Sequence, residues 1–369
     1  MCAMSFTPTE EQRMLIDAIA KFAANDARRI AHDADEDSAL PADVVHLGWE
    51  IGVLPAGIPE AYGGFGEYST VTNVLAAEEF AYGDLAVAMA VMSPGLVGLP
   101  VLLSGTEEQK QNILPRLGEG TLPPFTAAII EPGISYDVNA PKTTASRQDG
   151  AYLLNGTKCY VPLAADAQTM IIYARDTETG KVDGYLIEKG ADGLKIGPRE
   201  KLMGIRALPT YHVTLGNVHV DAACKLGGEA GSRYQRIVSH SRVALAAMAV
   251  GVARGAFEYA TNYAKERIQF GAPIATRQAI AFMLADMAIE IDAARLLVWE
   301  AAWKLDTEPD GDATAEAYLA KEYADKTVLM VTDGAVQTLG GHGYIREHPV
   351  ERWLRNGRGF VTFDGMAIV

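Results

Sequence analysis

Apolar positions fall into three successive textures along the chain. From Thr7 to about Gly120 they recur at helical spacing, most clearly over Glu10 to Ile30 and Thr70 to Ala90. A Gly- and Pro-rich stretch at 52–66, GVLPAGIPEAYGGFG, separates those two runs. Around Leu122 the period changes. FTAAIIEPG, YLLNGTKCYV, TMIIYAR, GYLIE and TYHVTLGNVHV alternate, or run apolar, between Gly, Asn and Asp, which predicts strands and turns. Leu153-Leu154-Asn155-Gly156 carries the Asn-Gly signal of a hairpin.

After Ser232 the helical period returns. Small and apolar residues dominate from Arg242 to Lys265, a surface that lets neighbouring helices approach closely. Phe270-Gly271-Ala272-Pro273 then stops the helix, because glycine carries a high entropic cost and proline lacks the amide hydrogen. A second long helix follows, with Thr276 as a candidate cap and Ile280, Met283, Leu284, Met287, Ile291, Ala294 and Val298 at helical spacing. An acidic link at 306–312, DTEPDGD, interrupts a helical pattern that otherwise runs to about Gly340. Helix, strand and helix thus occupy segregated blocks, which predicts an α+β architecture. The expected domains are N-terminal helical 1–120, middle β 121–235 and C-terminal helical 236–369.

A chain of 369 residues has room for two or three such domains. Its formal charge of −15 argues against non-specific nucleic-acid binding. An anionic ligand stays open, because a few local cations such as Arg242 or Arg267 suffice to hold one. Cys2, Cys159 and Cys224 are odd in number and widely spaced, with no CxxC, which fits reduced structural thiols and no metal site. No apolar run approaches the roughly 20 residues of a membrane span, and MCAMSFTPTEEQ lacks a basic region followed by an apolar one. The expectation is a cytoplasmic protein with no membrane span.

Taken locally, most polar landmarks read blandly. Arg267, Gln269 and Gln278 read as a solvated turn, Gly340-Gly341 as a helix stop, and GGFG at 63–66 as a connector, since it is not GxGxxG and no strand leads into it. His342 and His348 have no third ligand at metal spacing and read as structural. By itself Asp364-Gly365 is an ordinary turn dipeptide.

The segment AKERIQFGAPIATRQ (264–278) nevertheless closely resembles the ERxxFGxPIxxxQ signature of the flavin-dependent acyl-CoA dehydrogenase family. GVLPAGIPEAYGGFG, SGTEEQKQNILPRLGEGTLP, EKLMGIRALPTYHVTLGNVHV and QTLGGHGYIREHPVERWLRNGR resemble further family stretches in the right order, so the likeness spans essentially the whole chain. It implies the three-domain fold of that family with a C-terminal four-helix bundle, an FAD cofactor and an acyl-CoA substrate. It also implies an electron-transferring flavoprotein as acceptor and a homo-oligomer, a dimer or a dimer of dimers.

The resemblance assigns site residues one by one. Arg267 matches the arginine that meets the FAD pyrophosphate. Gln278, Gln337, Gly340 and Gly341 match positions around the same dinucleotide, the last three across a dimer interface, and Phe270 packs near it. Arg242 matches a coenzyme A contact. Where the family places a catalytic Glu in YEGT, this chain has Phe363-Asp364-Gly365-Met366, making Asp364 the candidate base and Phe363 and Gly365 its substrate-binding neighbours. An Asp withdraws its oxygens by about 1.5 Å relative to Glu, and proton transfer needs contact within about 3 Å. A closer-lying substrate, or a cyclic or otherwise non-linear acyl group, would meet that demand.

Some relatives carry the base just before the Arg242 position, where this chain has Ser241; Asp84 is the nearest other carboxylate. Met89 and Met92 are candidate lining for the acyl pocket, with core packing as the open alternative. Departures cluster around the flavin ring. Ile130 to Asp137 (IEPGISYD) stands where the family writes TEPxxGSD, placing Ile130 near the flavin and Tyr136 near the pantetheine arm. Tyr160-Val161-Pro162 replaces W-I-T, and Met366 and Ile368 replace polar residues near the adenine. These departures leave two alternatives open: a divergent member, an Asp-based flavin oxidase or a non-oxidising eliminase, and a non-catalytic subunit of a hetero-oligomer.

Overall fold

The structure is a computed structural model that describes residues 7–369; Cys2 lies outside the described residues. Helix α1 (Glu10–Phe22) starts at a capping box. The Thr9 hydroxyl accepts from the Gln12 amide at 3.2 Å, and the Gln12 side chain accepts from the Thr9 amide at 2.9 Å. A π-helical turn over Ala23–Ala27 leads into α2 (Arg28–Asp37), followed by α3 (Ala42–Glu50) and α4 (Val53–Ala56).

The helix expected over Thr70 to Ala90 is two helices, α5 (Thr70–Gly83) and α6 (Leu85–Val91). Asp84 separates them with extended backbone, and its carboxylate accepts the Ala86 and Val87 amides at 2.9 and 3.1 Å. A side chain that satisfies two free helix donors starts a new helix even inside an apolar run. α7 (Gly95–Ser104) and α8 (Glu107–Ile113) complete this block.

Seven strands form a curled mixed sheet: β1 (Phe125–Ala128), β2 (Thr144–Gln148), β3 (Ala151–Pro162), β4 (Thr169–Asp176), β5 (Val182–Glu188), β6 (Leu194–Arg199) and β7 (Thr210–Asp221). The order is β1-β4-β2-β3-β7-β6, with β5 paired to β4. The expected Asn155-Gly156 hairpin is not a turn. The β2–β3 turn is Asp149-Gly150, both left-handed at φ 50° and 83°. Asn155-Gly156 sits inside β3 at a register shift against β7, where a Cβ on Gly156 would stand 2.4 Å from the Thr143 hydroxyl oxygen. Both dipeptides carry the turn signal, and only the strand pairing separates them.

The last block comprises α9 (Tyr234–Glu266), α10 (Gln278–Thr307), α11 (Thr314–Leu339) and the short α12 (Val350–Gly357). Phe270 and Gly271, at φ 55° and 78°, close a two-residue hairpin between the short strands β8 (Ile268–Gln269) and β9 (Ala272–Pro273). Thr276 does not cap α10. Its hydroxyl donates to the Pro273 carbonyl at 2.7 Å, and Arg277 holds the cap position without a side-chain capping bond.

Helix α9 is the axis of the molecule. A Cβ on Gly251 would lie 2.2 Å from the Glu78 carbonyl oxygen, so glycine lets α5 and α9 touch backbone to backbone. Across the same contact Arg254 meets Glu79 at 2.6 Å and Arg295 of α10 meets Glu78 at 3.0 Å. Tyr234–Glu266 is long and apolar enough to span a bilayer by length and composition, as is the bent pair α6 and α7 taken as one span. The apolar window of α9 is mostly buried against neighbouring helices, as a core helix requires.

Candidate functional site

Between the sheet, α9 and α11 lies a cavity of about 600 Å³ lined by Ile130, Tyr136, Tyr160, Arg242, Phe363 and Asp364, among others. The loop carrying Asp364 is fixed from both sides. Upstream, the Lys321 ammonium of α11 donates to the Phe360 carbonyl at 2.7 Å; downstream, the Gly365 amide donates to the Ser241 hydroxyl of α9 at 2.9 Å. Gly365 has φ 70°, and a Cβ there would stand 2.4 Å from the Ile129 side chain, so only glycine turns the chain past β1 at this point.

Asp364 keeps 26% of its side-chain surface exposed, facing the cavity, with Arg242 Nε 3.7 Å from its Oδ1. Burial raises its pKa above the usual carboxylate range, against the opposing pull of Arg242 and Lys321. Among the described residues nothing accepts a hydrogen bond from the Asp364 amide. A desolvated carboxylate and an unengaged N–H therefore share one cavity wall. That combination can take up a proton and steady a developing oxyanion.

The opposite wall is held by a buried ion pair. Lys158 of β3, fully buried, donates to Glu131 at 2.9 Å and to the Ile129 carbonyl at 3.0 Å; Glu131 also accepts the Lys142 and Thr143 amides. Burial would raise the Glu131 carboxyl, but Lys158 and the Thr143 amide hold it below its usual value. The Cys159 amide donates to the Ile130 carbonyl at 3.0 Å, so Ile130 and Tyr160 share one surface. Tyr160 adopts a left-handed φ of 53°, a strained state for a bulky residue. Its amide donates to Glu200 at 3.1 Å, and His212 meets the same carboxylate at 2.9 Å.

A second groove, of about 500 Å³, lies at the β8–β9 hairpin. Arg267, Phe270, Gly340, Gly341 and His342 line it. Phe270 is almost fully exposed, and among the described residues the Arg267 guanidinium makes no ion pair. Gly340 is left-handed at φ 57°, and a Cβ on either Gly340 or Gly341 would meet nothing within 4 Å. The hydroxyls of Tyr263 and Tyr259 pair with Nδ1 of His342 and His348 at 2.8 and 2.7 Å, and the two imidazoles stack 5.3 Å apart. Among the described residues no cluster of three or more His, Cys, Asp or Glu could hold a metal.

Not every expected residue joins these two sites. Met89 and Met92 are buried in the core, in the same apolar cluster as Met366, Ala367 and Val369, and line neither cavity. Gln278 and Gln337 are exposed beside the second groove without lining it. Asp84 is the cap of α6, with Arg352 4.0 Å away, and is not in the cavity. Reading from the sequence missed Lys321, Asp325, Tyr318 and Glu322, which α11 presents to the cavity. Their i, i+3, i+4, i+7 spacing was the available signal, yet such spacing also describes any solvated helix face.

Comparison with known proteins agrees along the whole length. The chain matches the acyl-CoA dehydrogenase N-terminal domain over residues 9–121, the middle domain over 126–218 and the C-terminal domain over 232–367. It is 36% identical to a cyclohex-1-ene-1-carbonyl-CoA dehydrogenase of Geobacter metallireducens, covering 95% of this chain and 93% of that protein. It is 34% identical to the caffeyl-CoA reductase-Etf complex subunit CarC of Acetobacterium woodii, covering 98% and 96%. Among solved structures, butyryl-CoA dehydrogenase from Megasphaera elsdenii superposes with a TM-score of 0.88 at 31% identity, covering 98% and 96%. With its helical, β and helical blocks in that order and each matched in turn, the chain belongs to the acyl-CoA dehydrogenase family.

Proposed function

We propose that the protein is an FAD-dependent acyl-CoA dehydrogenase in which Asp364 is the base. The observation that carries this reading is Asp364 itself: a carboxylate desolvated at a cavity wall, with its own amide unengaged among the described residues. When bound, FAD supplies the hydride acceptor. Asp364 would remove the α-proton, and its amide would hydrogen-bond the thioester carbonyl as enolate charge develops. The Cα–Cβ double bond forms as the β-hydrogen leaves with its electron pair. Arg242 would meet the coenzyme A portion, with Tyr136, Phe363 and Gly365 shaping the cavity around the thioester. In the reverse direction the protonated Asp364 would return the proton to the α-carbon, which is relevant because one relative is named as a reductase.

The residues suit the cofactor. Arg267 has no protein ion-pair partner among the described residues, and Gly340-Gly341 leaves its backbone open to approach; together they form a cradle for a diphosphate. Ile130, Tyr160 and Cys159 offer an apolar wall for the ring in the other cavity. The two cavities share no lining residue. This supports a two-chain site in a homodimer or dimer of dimers, with Arg267, Phe270, Gln278, Gln337, Gly340 and Gly341 serving the neighbouring copy's dinucleotide. Phe282, Ile289 and Leu296, exposed at seven-residue intervals on α10, supply an apolar stripe for such a contact.

Further parts of the proposal are a cyclic or otherwise non-linear acyl group, matched to the shorter Asp, and an electron-transferring flavoprotein as acceptor. Cytoplasmic location fits Cys159 and Cys224, which form no disulfide among the described residues. Domain limits at 120/121 and 235/236 fall in the link before β1 and in the first turn of α9.

The test is anaerobic bleaching of the flavin band by straight, branched and cyclic acyl-CoAs, with Asp364→Asn alongside. Bleaching by one class, lost in the variant, is the expected result. A flavin that no thioester bleaches overturns the reading.

A further inference from the structure

Strand β7 meets a bulge on both of its neighbours at one residue, His212. Against β3 the pairing passes from Lys158/Val213 to Val161/Tyr211, so Cys159 and Tyr160 together oppose His212. Against β6 it passes from Ile196/Val213 to Arg199/Tyr211, so Gly197 and Pro198 oppose the same residue. A bulge bends its strand and re-aims a side chain. Here it leaves Tyr160 at φ 53° on the cavity wall. A bulky residue rarely holds the left-handed region unless its surroundings fix it there.

Glu200 supplies that fixing. It follows directly on β6, where its own amide donates to the Thr210 carbonyl of β7 at 2.8 Å. Its two carboxylate oxygens accept from the Tyr160 amide at 3.3 and 3.1 Å, at the point where the β3–β7 register slips. The Glu200 side chain is only 10% exposed, and His212 Nε2 stands 2.9 Å from its Oε1. A hydrogen bond to a charged acceptor is the strong kind. Glu200 does not itself line the cavity, so it reaches a ligand there only through Tyr160 and His212, which do. Resting on the reading of this cavity as the place of the flavin ring, we propose that Glu200 is a positioning residue. By binding the Tyr160 amide it holds Tyr160 in its left-handed state, with the side chain against the ring, and His212 steadies the carboxylate.

The test is a double-mutant cycle read on the bound cofactor. Visible circular dichroism of the oxidised holoenzyme reports the surroundings of the flavin ring, and titration of the apoprotein with FAD gives its Kd. Tyr160→Gly removes the side chain, and glycine adopts a positive φ without a clamp, so both readings should move. Glu200→Ala should also change the dichroism, and should raise the FAD Kd about 10-fold, as for loss of a hydrogen bond to a charged group. Glu200→Gln keeps an acceptor for the amide and should stay near wild type. Adding Glu200→Ala to Tyr160→Gly should change neither reading further.

Wild-type dichroism and Kd in Glu200→Ala overturn the inference. So does an effect of Glu200→Ala that persists on the Tyr160→Gly background, because the carboxylate then acts elsewhere. Unmoved readings in Tyr160→Gly overturn it together with the placing of the flavin ring. Should Glu200→Ala fail to fold, a folded, FAD-binding double variant supports the inference, and a double variant that fails where Tyr160→Gly folds overturns it. None of these results depends on bleaching. A wild-type flavin that no acyl-CoA bleaches sinks the dehydrogenase reading and leaves the role of Glu200 standing.

Discussion

The cavity at Asp364 and the groove at Arg267 are built on opposite principles. In the cavity the chain supplies its own partners: Lys321 and Ser241 fix the Asp364 loop, and Lys158 and Glu131 fix the facing wall. In the groove the exposed Phe270, Arg267 and the open glycines make few contacts among the described residues. The cavity is preorganised from within, whereas the groove waits for something outside. The family signature is nearly intact at the groove and heavily altered around the cavity. On the proposed reading the groove takes the FAD diphosphate, which does not change with the substrate, whereas the cavity wall has to follow the acyl group.

The sharpest way to break the contrast is Asp364→Asn. Loss of a general base should slow bleaching by about 10²- to 10⁴-fold while FAD content and thermal midpoint stay near wild type. A variant that bleaches at the wild-type rate would show that the cavity is not where chemistry happens. Next in size is Lys158→Met, which strands Glu131 in the interior. Denaturant titration should report a loss of about 3–5 kcal/mol, part of it recovered in Lys158→Met/Glu131→Gln. No loss would mean that the wall does not depend on its buried pair.

Arg267→Ala probes the groove and should do the reverse of Asp364→Asn. FAD affinity is expected to weaken by about 10- to 100-fold, read as flavin lost on dilution, with the rate unchanged in the fraction that keeps its flavin. A slowed rate with full occupancy would erase the distinction between the two sites.

The smallest effect is in pH. Because burial raises the folded-state pKa of Asp364, its proton is held more tightly folded than unfolded. Its contribution to stability is fully present below the unfolded pKa and is lost as pH rises through the raised folded value. Activity runs the other way, since only the ionised form can take a proton. The acid limb of the bleaching rate should therefore lie above the usual aspartate range, and the matching slope in denaturation midpoint should vanish in Asp364→Asn. An acid limb at the ordinary aspartate position would mean that burial does not govern this carboxylate.

Periodicity and composition by themselves determined the three blocks and the α+β class, because a core-facing helix and a half-buried strand each impose their own spacing of apolar residues. The short signature at 264–278 also pointed to Arg267 and Phe270, which the structure brings together at the groove of the β8–β9 hairpin, because a tight hairpin sets its own residues side by side. Tertiary structure decided the rest. Asn155-Gly156 and Asp149-Gly150 carry equal turn signals, and only pairing with β7 made one a strand and the other a turn. Met89 and Met92 read equally well as pocket or core until packing put them in the core. Lys321, Asp325 and Ser241 look like ordinary helix residues in the sequence. They acquire meaning only where α9 and α11 bring them against a loop some forty to a hundred and twenty residues away, because a long-range contact leaves no periodic trace in the chain that makes it.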